Sequence, residues 1–328
     1  TLIIKNSCSL ISSGTERSTV NIAKKNLFEK ARERPDLVKK VINQVKKDGL
    51  MQTSKLVFNR LDSDAALGYS CTGIVQELGK NIDKFIIGQR VACAGQNFAS
   101  HAEIISVPKN LCVAVPENVS DEEASFVTLG AIALQGVRQT DPSLGDVVVV
   151  MGLGLLGLIT VQLLNANGCK VYASDIDPAK LDLAKSLGAI DAVTPNQLEA
   201  LIESVSKGMG CDSVIITAST KSNQPIEQSG KIARRKANIT VVGNVGMDIP
   251  RDDYYAKELE LKLSMSYGPG RYDDNYELEG IDYPYEYVRW TENRNLESFL
   301  ELISMEKICL KRLITHRFEL DDAKQAYE

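Results

Sequence analysis

The chain has 328 residues, of which 44% are hydrophobic and 25% charged, and its formal net charge is -5. This composition is ordinary for a globular protein, and the length suffices for two domains with hydrophobic cores. The acidic balance gives no general attraction to nucleic acid, and the longest apolar run is too short and too interrupted by glycine to cross a bilayer. We therefore expect neither a nucleic-acid partner nor a membrane span.

The seven cysteines are scattered and include no C-x-x-C pair. An odd, scattered set fits free thiols in a reducing compartment better than a disulfide framework. We see no signal-peptide pattern, and we expect a cytoplasmic location.

The chain opens on a predicted strand at residues 2–5, followed by a helical pattern over residues 17–60, with Pro35 as a helix start and Gly49 as a stop. This segment is basic, with twelve lysines and arginines against four acids. Two interpretations are open: a solvated helical face, or a landing surface for an anionic substrate or partner.

Short strands are predicted at residues 73–79, 88–93 and 102–108, and their spacing suggests a small β-barrel or rolled sheet. Ser120 and Glu123 then form a capping box, which predicts the start of a helix.

A glycine-rich turn follows the β-branched strand at residues 147–151. Gly152, Gly154 and Gly157 form a G-x-G-x-x-G pattern that leads into an apolar helix. The first glycine permits the tight turn, the second lets backbone approach a pyrophosphate, and the third lets helix pack on strand. The helix N-terminus, at Leu155 and Leu156, faces the anion.

A second strand at residues 170–175 ends in Asp175, about 20 residues after the turn, where the ribose hydroxyls of NAD are held. Its carboxylate would repel a 2′-phosphate, so the sequence predicts NAD over NADP. The alternative is a glycine-rich packing turn that binds nothing.

Helices and strands then alternate to about residue 265, which predicts a doubly wound parallel sheet. Residues at the carboxyl ends of two of its strands are expected to flank the nicotinamide: Ala218, Ser219, Gly243 and Val245. An aromatic-rich loop follows from residue 267, then a helix at 296–303 and a last strand at 314–318.

A small barrel, a dinucleotide domain and a return segment together resemble the medium-chain dehydrogenase/reductase superfamily, the relatives of zinc alcohol dehydrogenases. Residues 12–16, 68–70, 130–136 and 267–272 resemble one branch of it, the bi-domain oxidoreductases of bacterial polysaccharide gene clusters. The resemblance implies a GroES-like β-barrel catalytic domain at 1–117 and 268–328, with the basic helical insert at 17–66. It also implies an α/β Rossmann nucleotide-binding domain at 118–267, a homodimer, and a fused C-terminal oxidoreductase domain that is absent here. Lys180 matches a family position near the adenosine ribose, with a surface lysine as the alternative.

The resemblance breaks down at the catalytic metal. The three positions that hold zinc in the family are occupied by Ser13, Tyr69 and Thr128, and three neutral hydroxyls do not supply the donors that zinc requires. The four-cysteine structural lobe is missing as well. Of the two histidines, His316 is expected in a strand for packing, and His101 is either a surface residue or a proton relay. We expect no bound metal.

Without zinc, a side chain must accept the proton that an alcohol loses on oxidation. Tyr69 is the candidate, with Ser13 or Thr15 as relay, and a phenol with a pKa of about 10 needs a nearby cation such as Lys24, Lys25 or Arg271. The alternative is that Tyr69 only fills the vacated metal site. Tyr267 and Arg271, in an aromatic-rich stretch, and Lys24 are candidates for binding an anionic sugar or nucleotide sugar. The alternative for the aromatic-rich stretch is a structural loop packed on the barrel.

Three functions remain open from the sequence. The first is a zinc-independent, NAD-linked oxidoreductase acting on a sugar or nucleotide-sugar hydroxyl or carbonyl in glycan biosynthesis. The second is an enone or quinone reductase, which a preference for NADPH would favour. The third is a non-catalytic NAD-binding module that docks a partner domain, for which cofactor binding without turnover would be the sign.

Overall fold

The computed structural model describes residues 1–12, 14, 16, 66–80 and 82–328. Most of the basic segment, together with Ser13, Thr15, Lys24 and Lys25, lies outside the described residues. Among the helices that the structure does describe, none has the length and apolar character needed to cross a membrane.

The first sheet is built from five short strands, each antiparallel to its neighbours, in the order β4-β1-β2-β3-β5. They are β1 (Leu2–Ser9), β2 (Ser70–Leu78), β3 (Arg90–Ala94), β4 (Ile104–Val107) and β5 (Cys112–Ala114). Along β4, Ile105 and Val107 are buried while Ile104 is exposed, so one face of this sheet covers the core. The predicted strands are confirmed, and the described strands form one antiparallel sheet where a barrel or rolled sheet was expected.

The second sheet is parallel, in the order β11-β10-β9-β6-β7-β8. Its strands are β6 (Val147–Met151), β7 (Lys170–Ser174), β8 (Asp191–Val193), β9 (Cys211–Ile216), β10 (Ala233–Val241) and β11 (Glu260–Leu263). The order reverses between β6 and β9. In doubly wound sheets a ligand binds at that point, beyond the carboxyl ends of the strands.

Helices precede, connect and follow these strands. They are α1 (Asp121–Ala124), α2 (Val127–Thr140), α3 (Leu155–Ala166), α4 (Ala179–Ser186), α5 (Pro195–Val205), α6 (Gln224–Ile232), α7 (Arg251–Lys257), α8 (Asp274–Glu277), α9 (Glu292–Ser304) and α10 (Ala323–Tyr327). The capping box is present, with Ser120 accepting from the Glu123 N–H and the Glu123 side chain accepting from the Ser120 N–H.

Two predictions near the C-terminus are wrong. Residues 314–318 form no strand, and they lie between short 3-10 turns at Lys311–Leu313 and Leu320–Asp322. His316 is exposed and contacts Thr315 and Phe318. None of the described strands pairs with this segment, so its local β propensity does not produce a strand.

The larger hydrophobic core runs through both sheets. It includes Ile4 and Val91 from the antiparallel sheet, Val150 from the parallel sheet, and Phe299 from α9. Gly130 on α2 lies directly against the Phe299 ring, because a Cβ there would stand 2.2 Å from ring carbons. The return segment is thus packed on the helix that leads into the parallel sheet.

Candidate active site

The glycine-rich turn between β6 and α3 has the close contacts that its pattern predicts. Gly152 has a φ of +97°, and a Cβ there would lie 2.5 Å from the Ala218 nitrogen. A Cβ on Gly157 would lie 1.8 Å from the Gly152 carbonyl oxygen, so only glycine permits this approach of α3 to β6. Gly154, by contrast, faces open space, with nothing within 4 Å of its Cβ position.

Gly154 is the N-cap of α3, and no side chain caps this helix. The N–H groups of its first turn, at Leu155 and Leu156, have no intrahelical acceptors and carry the positive end of the helix dipole. Backbone donors, positive dipole and open space above a glycine together fit a pyrophosphate.

Asp175 follows the last residue of β7, and its side chain is 9% exposed. Its Oδ2 accepts a hydrogen bond from the Leu153 N–H at 2.5 Å, and its Oδ1 accepts one from the Asp177 N–H at 2.9 Å. Lys180 Nζ lies 3.8 Å from Asp175 Oδ1. The predicted ribose-binding acid is therefore fixed beside the glycine turn, with the predicted lysine next to it, and these residues fit the adenosine half of a dinucleotide.

The predicted nicotinamide-flanking residues lie beyond the carboxyl ends of β9 and β10. Ser219 forms a parallel bridge with Asn244, and a Cβ on Gly243 would lie 2.0 Å from the Ala218 carbonyl oxygen. The Val245 side chain is buried in the second, smaller core. These contacts bring the two strand ends together beside the glycine turn.

A cavity of about 190 Å³ is bordered by residues from several parts of the chain. The sequence singled out Tyr69, Tyr267 and Arg271 as candidates, and all three border this cavity. Glu16 borders it too, although the sequence did not single it out as a site residue. The structure therefore brings Tyr69 together with Tyr267 and Arg271, which lie far from it in sequence, and adds a carboxylate.

The Glu16 carboxylate is held from three sides. Its Oε2 lies 2.9 Å from His101 Nε2 and accepts a hydrogen bond from the Tyr327 hydroxyl, and its Oε1 accepts one from the Ser12 N–H at 3.0 Å. His101 Nδ1 in turn lies 2.8 Å from Ser9 Oγ. Burial alone would raise the pKa of Glu16, but the hydrogen bonds from His101, Tyr327 and Ser12 lower the pKa below its ordinary value. Glu16 is therefore ionised at neutral pH.

The described residues at the family's metal positions do not fit zinc. Thr128 Oγ1 donates to the Tyr69 carbonyl oxygen at 2.9 Å, and the Thr128 N–H donates to Ser70 Oγ at 3.1 Å. The threonine therefore hydrogen-bonds the start of β2. A tetrahedral zinc site requires thiolate, imidazole or carboxylate donors. Within the described ranges no group of three such side chains converges.

A buried polar cluster adjoins the cavity. Arg271 Nη1 lies 2.6 Å from Glu277 Oε1, while Arg271 Nε and the Tyr267 hydroxyl are buried and have no hydrogen-bond partner in the part of the chain that the structure describes. Both carboxyl oxygens of Glu292 are also buried, and no described residue donates a hydrogen bond to them. Burial raises the pKa of Glu292 to about 9, and the Glu277 carboxylate adds to the rise while Arg271 opposes it. Burial also raises the pKa of the Tyr267 phenol, so Tyr267 keeps its proton at neutral pH.

Comparison with known proteins points to one superfamily. The family model described as "Zinc-binding dehydrogenase" matches residues 156–278. A "Probable D-xylulose reductase A" from Aspergillus clavatus is 26% identical, over 80% of this chain and 76% of that protein.

Solved structures share the fold. "Zinc dependent alcohol dehydrogenase 2" from Streptococcus pneumonia matches with a TM-score of 0.72 and 18% identity, over 100% of this chain and 86% of that one. A putative zinc-binding dehydrogenase from Sinorhizobium meliloti, bound to NADP, matches with a TM-score of 0.70 and 20% identity, over 99% and 87% of the two chains. Together with the doubly wound sheet and its glycine turn, these similarities support an oxidoreductase of the medium-chain dehydrogenase/reductase superfamily, which includes the zinc alcohol dehydrogenases.

Proposed function

We propose that the chain is a zinc-independent, NAD-linked oxidoreductase that transfers a hydride between the nicotinamide and a hydroxyl or carbonyl carbon of a sugar, polyol or nucleotide sugar, in glycan biosynthesis. The observation that carries the proposal is a dinucleotide-type glycine turn, with its acid, in a chain whose metal positions hold no metal donors among the described residues. The named D-xylulose reductase relative supports the sugar class.

Gly152, Gly154 and Gly157 would hold the pyrophosphate, Asp175 and Lys180 the adenosine ribose, and the strand ends at Ser219 and Gly243 the nicotinamide. NAD supplies a two-electron hydride acceptor when it is bound. The negative charge of Asp175 opposes a 2′-phosphate, which is why we infer NAD although a structural neighbour holds NADP.

The substrate would occupy the cavity beside Tyr69, whose ring replaces the family's metal-ligating side chain. Tyr69 would hydrogen-bond the substrate oxygen, and Tyr267 and Arg271 border the same cavity. Because Arg271 is already paired with Glu277, its charge is largely compensated, and the wall suits hydroxyl groups better than a fully ionised phosphate.

The test combines cofactor binding, metal content and turnover on one preparation. Trp290 is the single tryptophan of the chain, so its fluorescence gives one quenching signal on titration with NADH or NADPH. We expect tighter NADH binding, no stoichiometric zinc, and NADH-dependent reduction of D-xylulose or a related sugar that a chelator does not inhibit. Asp175→Asn should reduce the ratio of the NADPH Kd to the NADH Kd about tenfold or more, because the negative charge that opposes the 2′-phosphate is removed.

Each contrary result has its own meaning. Stoichiometric zinc would overturn the metal-free chemistry. Tight NADH binding with no turnover on any sugar, polyol or nucleotide sugar would indicate a non-catalytic module. A homodimer and a fused C-terminal domain stay predictions, and light scattering of the purified chain tests the dimer.

A further inference from the structure

The cavity that borders Tyr69 also contains an ionised carboxylate that the proposed function does not yet use. Glu16 is only 4% exposed in its side chain, yet it lines the cavity. A buried carboxylate is costly unless it is hydrogen-bonded, and here one imidazole, one phenol and one backbone N–H are directed at it. The chain therefore stabilises a negative charge at the wall of the candidate substrate site.

The hydrogen bonds from the described residues do not fill every acceptor site of the Glu16 carboxylate. A carboxylate has about four lone-pair sites on its two oxygens. His101 and Tyr327 occupy two on Oε2, and the Ser12 N–H occupies one on Oε1. Counting donors from the described residues alone, one acceptor site remains on Oε1 for a hydroxyl group in the cavity.

We propose that Glu16 accepts the proton of the substrate hydroxyl, and that His101 and Tyr327 are positioning residues that orient its carboxylate. The proposal rests on the proposed function, because it needs an alcohol whose carbinol carbon loses hydride. In that oxidation the C–H bond breaks and its electron pair leaves as hydride for NAD+. The O–H bond breaks as the C=O bond forms, and the proton goes to Glu16 Oε1 and then to water.

Tyr69 is a poorer acceptor than Glu16, because an ordinary phenol, with a pKa of about 10, carries its proton at neutral pH. Tyr69 serves as a donor to the substrate oxygen in this arrangement. Besides the directly bonded His101 and Tyr327, other titratable groups border the same cavity: Tyr69, Tyr267, Arg271 and Tyr272.

The experiment measures kcat and kcat/KM for NAD+-dependent oxidation of xylitol and D-sorbitol between about pH 3 and pH 9, with wild type, Glu16→Gln and Tyr327→Phe. The range extends to low pH because the hydrogen bonds to Glu16 hold the pKa of its carboxyl group below the ordinary value. General-base catalysis contributes about 10²–10⁴-fold, so we expect Glu16→Gln to lower kcat by that factor and to abolish the acidic limb of the profile. Tyr327→Phe removes one hydrogen bond to the carboxylate, so the acidic limb should move up by about one pH unit with most of the activity kept. If Tyr327 had only a structural role, its replacement would leave the acidic limb of the pH profile at the same pH.

Glu103→Gln is the matched control, since Glu103 is exposed and close in sequence to His101. Circular dichroism and NADH binding of each variant verify that the fold is intact. If wild type turns over and Glu16→Gln keeps both its rate and its acidic limb, the role of Glu16 is overturned while the proposed function stands. If wild type binds NADH but oxidises neither polyol, the polyol substrate class fails and the proton-acceptor role fails with it.

Discussion

Replacing Glu292 with glutamine should make the protein more stable at alkaline pH. Glu292 is 0% exposed at the start of α9, and neither carboxyl oxygen has a hydrogen-bond partner among the described residues. Burial raises the pKa of Glu292 to about 9 from an ordinary value of 4.5, so the folded state holds this proton far more tightly than the unfolded state does. Glutamine has nearly the same shape and cannot ionise.

The magnitude follows from proton linkage. Because the pKa of Glu292 is higher in the folded state than in the unfolded state, its bound proton stabilises the folded protein fully below about pH 4.5. This contribution to the free energy of unfolding is lost as the pH rises to about 9. One pKa unit corresponds to about 1.4 kcal/mol, so between pH 5.5 and pH 8 wild type should lose about 3 kcal/mol relative to Glu292→Gln. At pH 5.5 wild type should be only about 1.4 kcal/mol less stable than Glu292→Gln, because the carboxyl group is neutral in the folded state and the pH is one unit above its ordinary pKa of 4.5 in the unfolded state.

Urea unfolding at the two pH values, followed by circular dichroism, measures this difference. Glu297→Gln is the control, because Glu297 is an exposed carboxylate on the same helix. Its replacement removes one carboxyl group from the protein, as Glu292→Gln does. If the difference between wild type and Glu292→Gln is the same at both pH values, as for the control, then Glu292 is not a buried neutral acid and the argument fails.

Alanine substitutions at two glycines of the turn should have different effects, one on stability and the other on cofactor binding. Gly157→Ala places a Cβ 1.8 Å from the Gly152 carbonyl oxygen and should cost about 1–3 kcal/mol or more in urea unfolding, whereas equal stability would contradict the close approach. Gly154→Ala meets no protein atom within 4 Å and should fold normally but weaken NADH binding about tenfold or more, as tested by Trp290 quenching. Ser120→Ala removes the cap of α1 and should cost about 1 kcal/mol in the same urea assay, and an unchanged midpoint would show that the cap is dispensable.

The order and type of most elements could be predicted because they depend on local sequence. The β-branched run before Gly152, the spacing of the glycines and the position of Asp175 specify a strand, turn, helix and strand without reference to distant residues. The segment at 314–318 shows the limit of such reasoning. Its apolar and β-branched residues indicate a strand, but a strand also needs an edge to pair with, and that depends on the rest of the fold.

The role of Glu16 could not be predicted for the same reason. Its partners His101 and Tyr327 lie 85 and 311 residues away in sequence, so no spacing rule connects them. Two signals were present, the acid that ends the Ser-Gly-Thr-Glu motif and the scarcity of histidine, which makes His101 one of two. Neither signal indicates a cavity without the fold.

The contact between Gly130 and Phe299 limits how the protein could be divided. The helix that carries Gly130 and the helix that carries Phe299 belong to different domains by sequence, yet they share one core with both sheets. Cutting the chain at residue 267 would uncover the apolar face of α2 and expose it to aggregation. The nucleotide-binding unit is therefore not a transferable module, and its exchange between proteins would require the return helix α9 to travel with it.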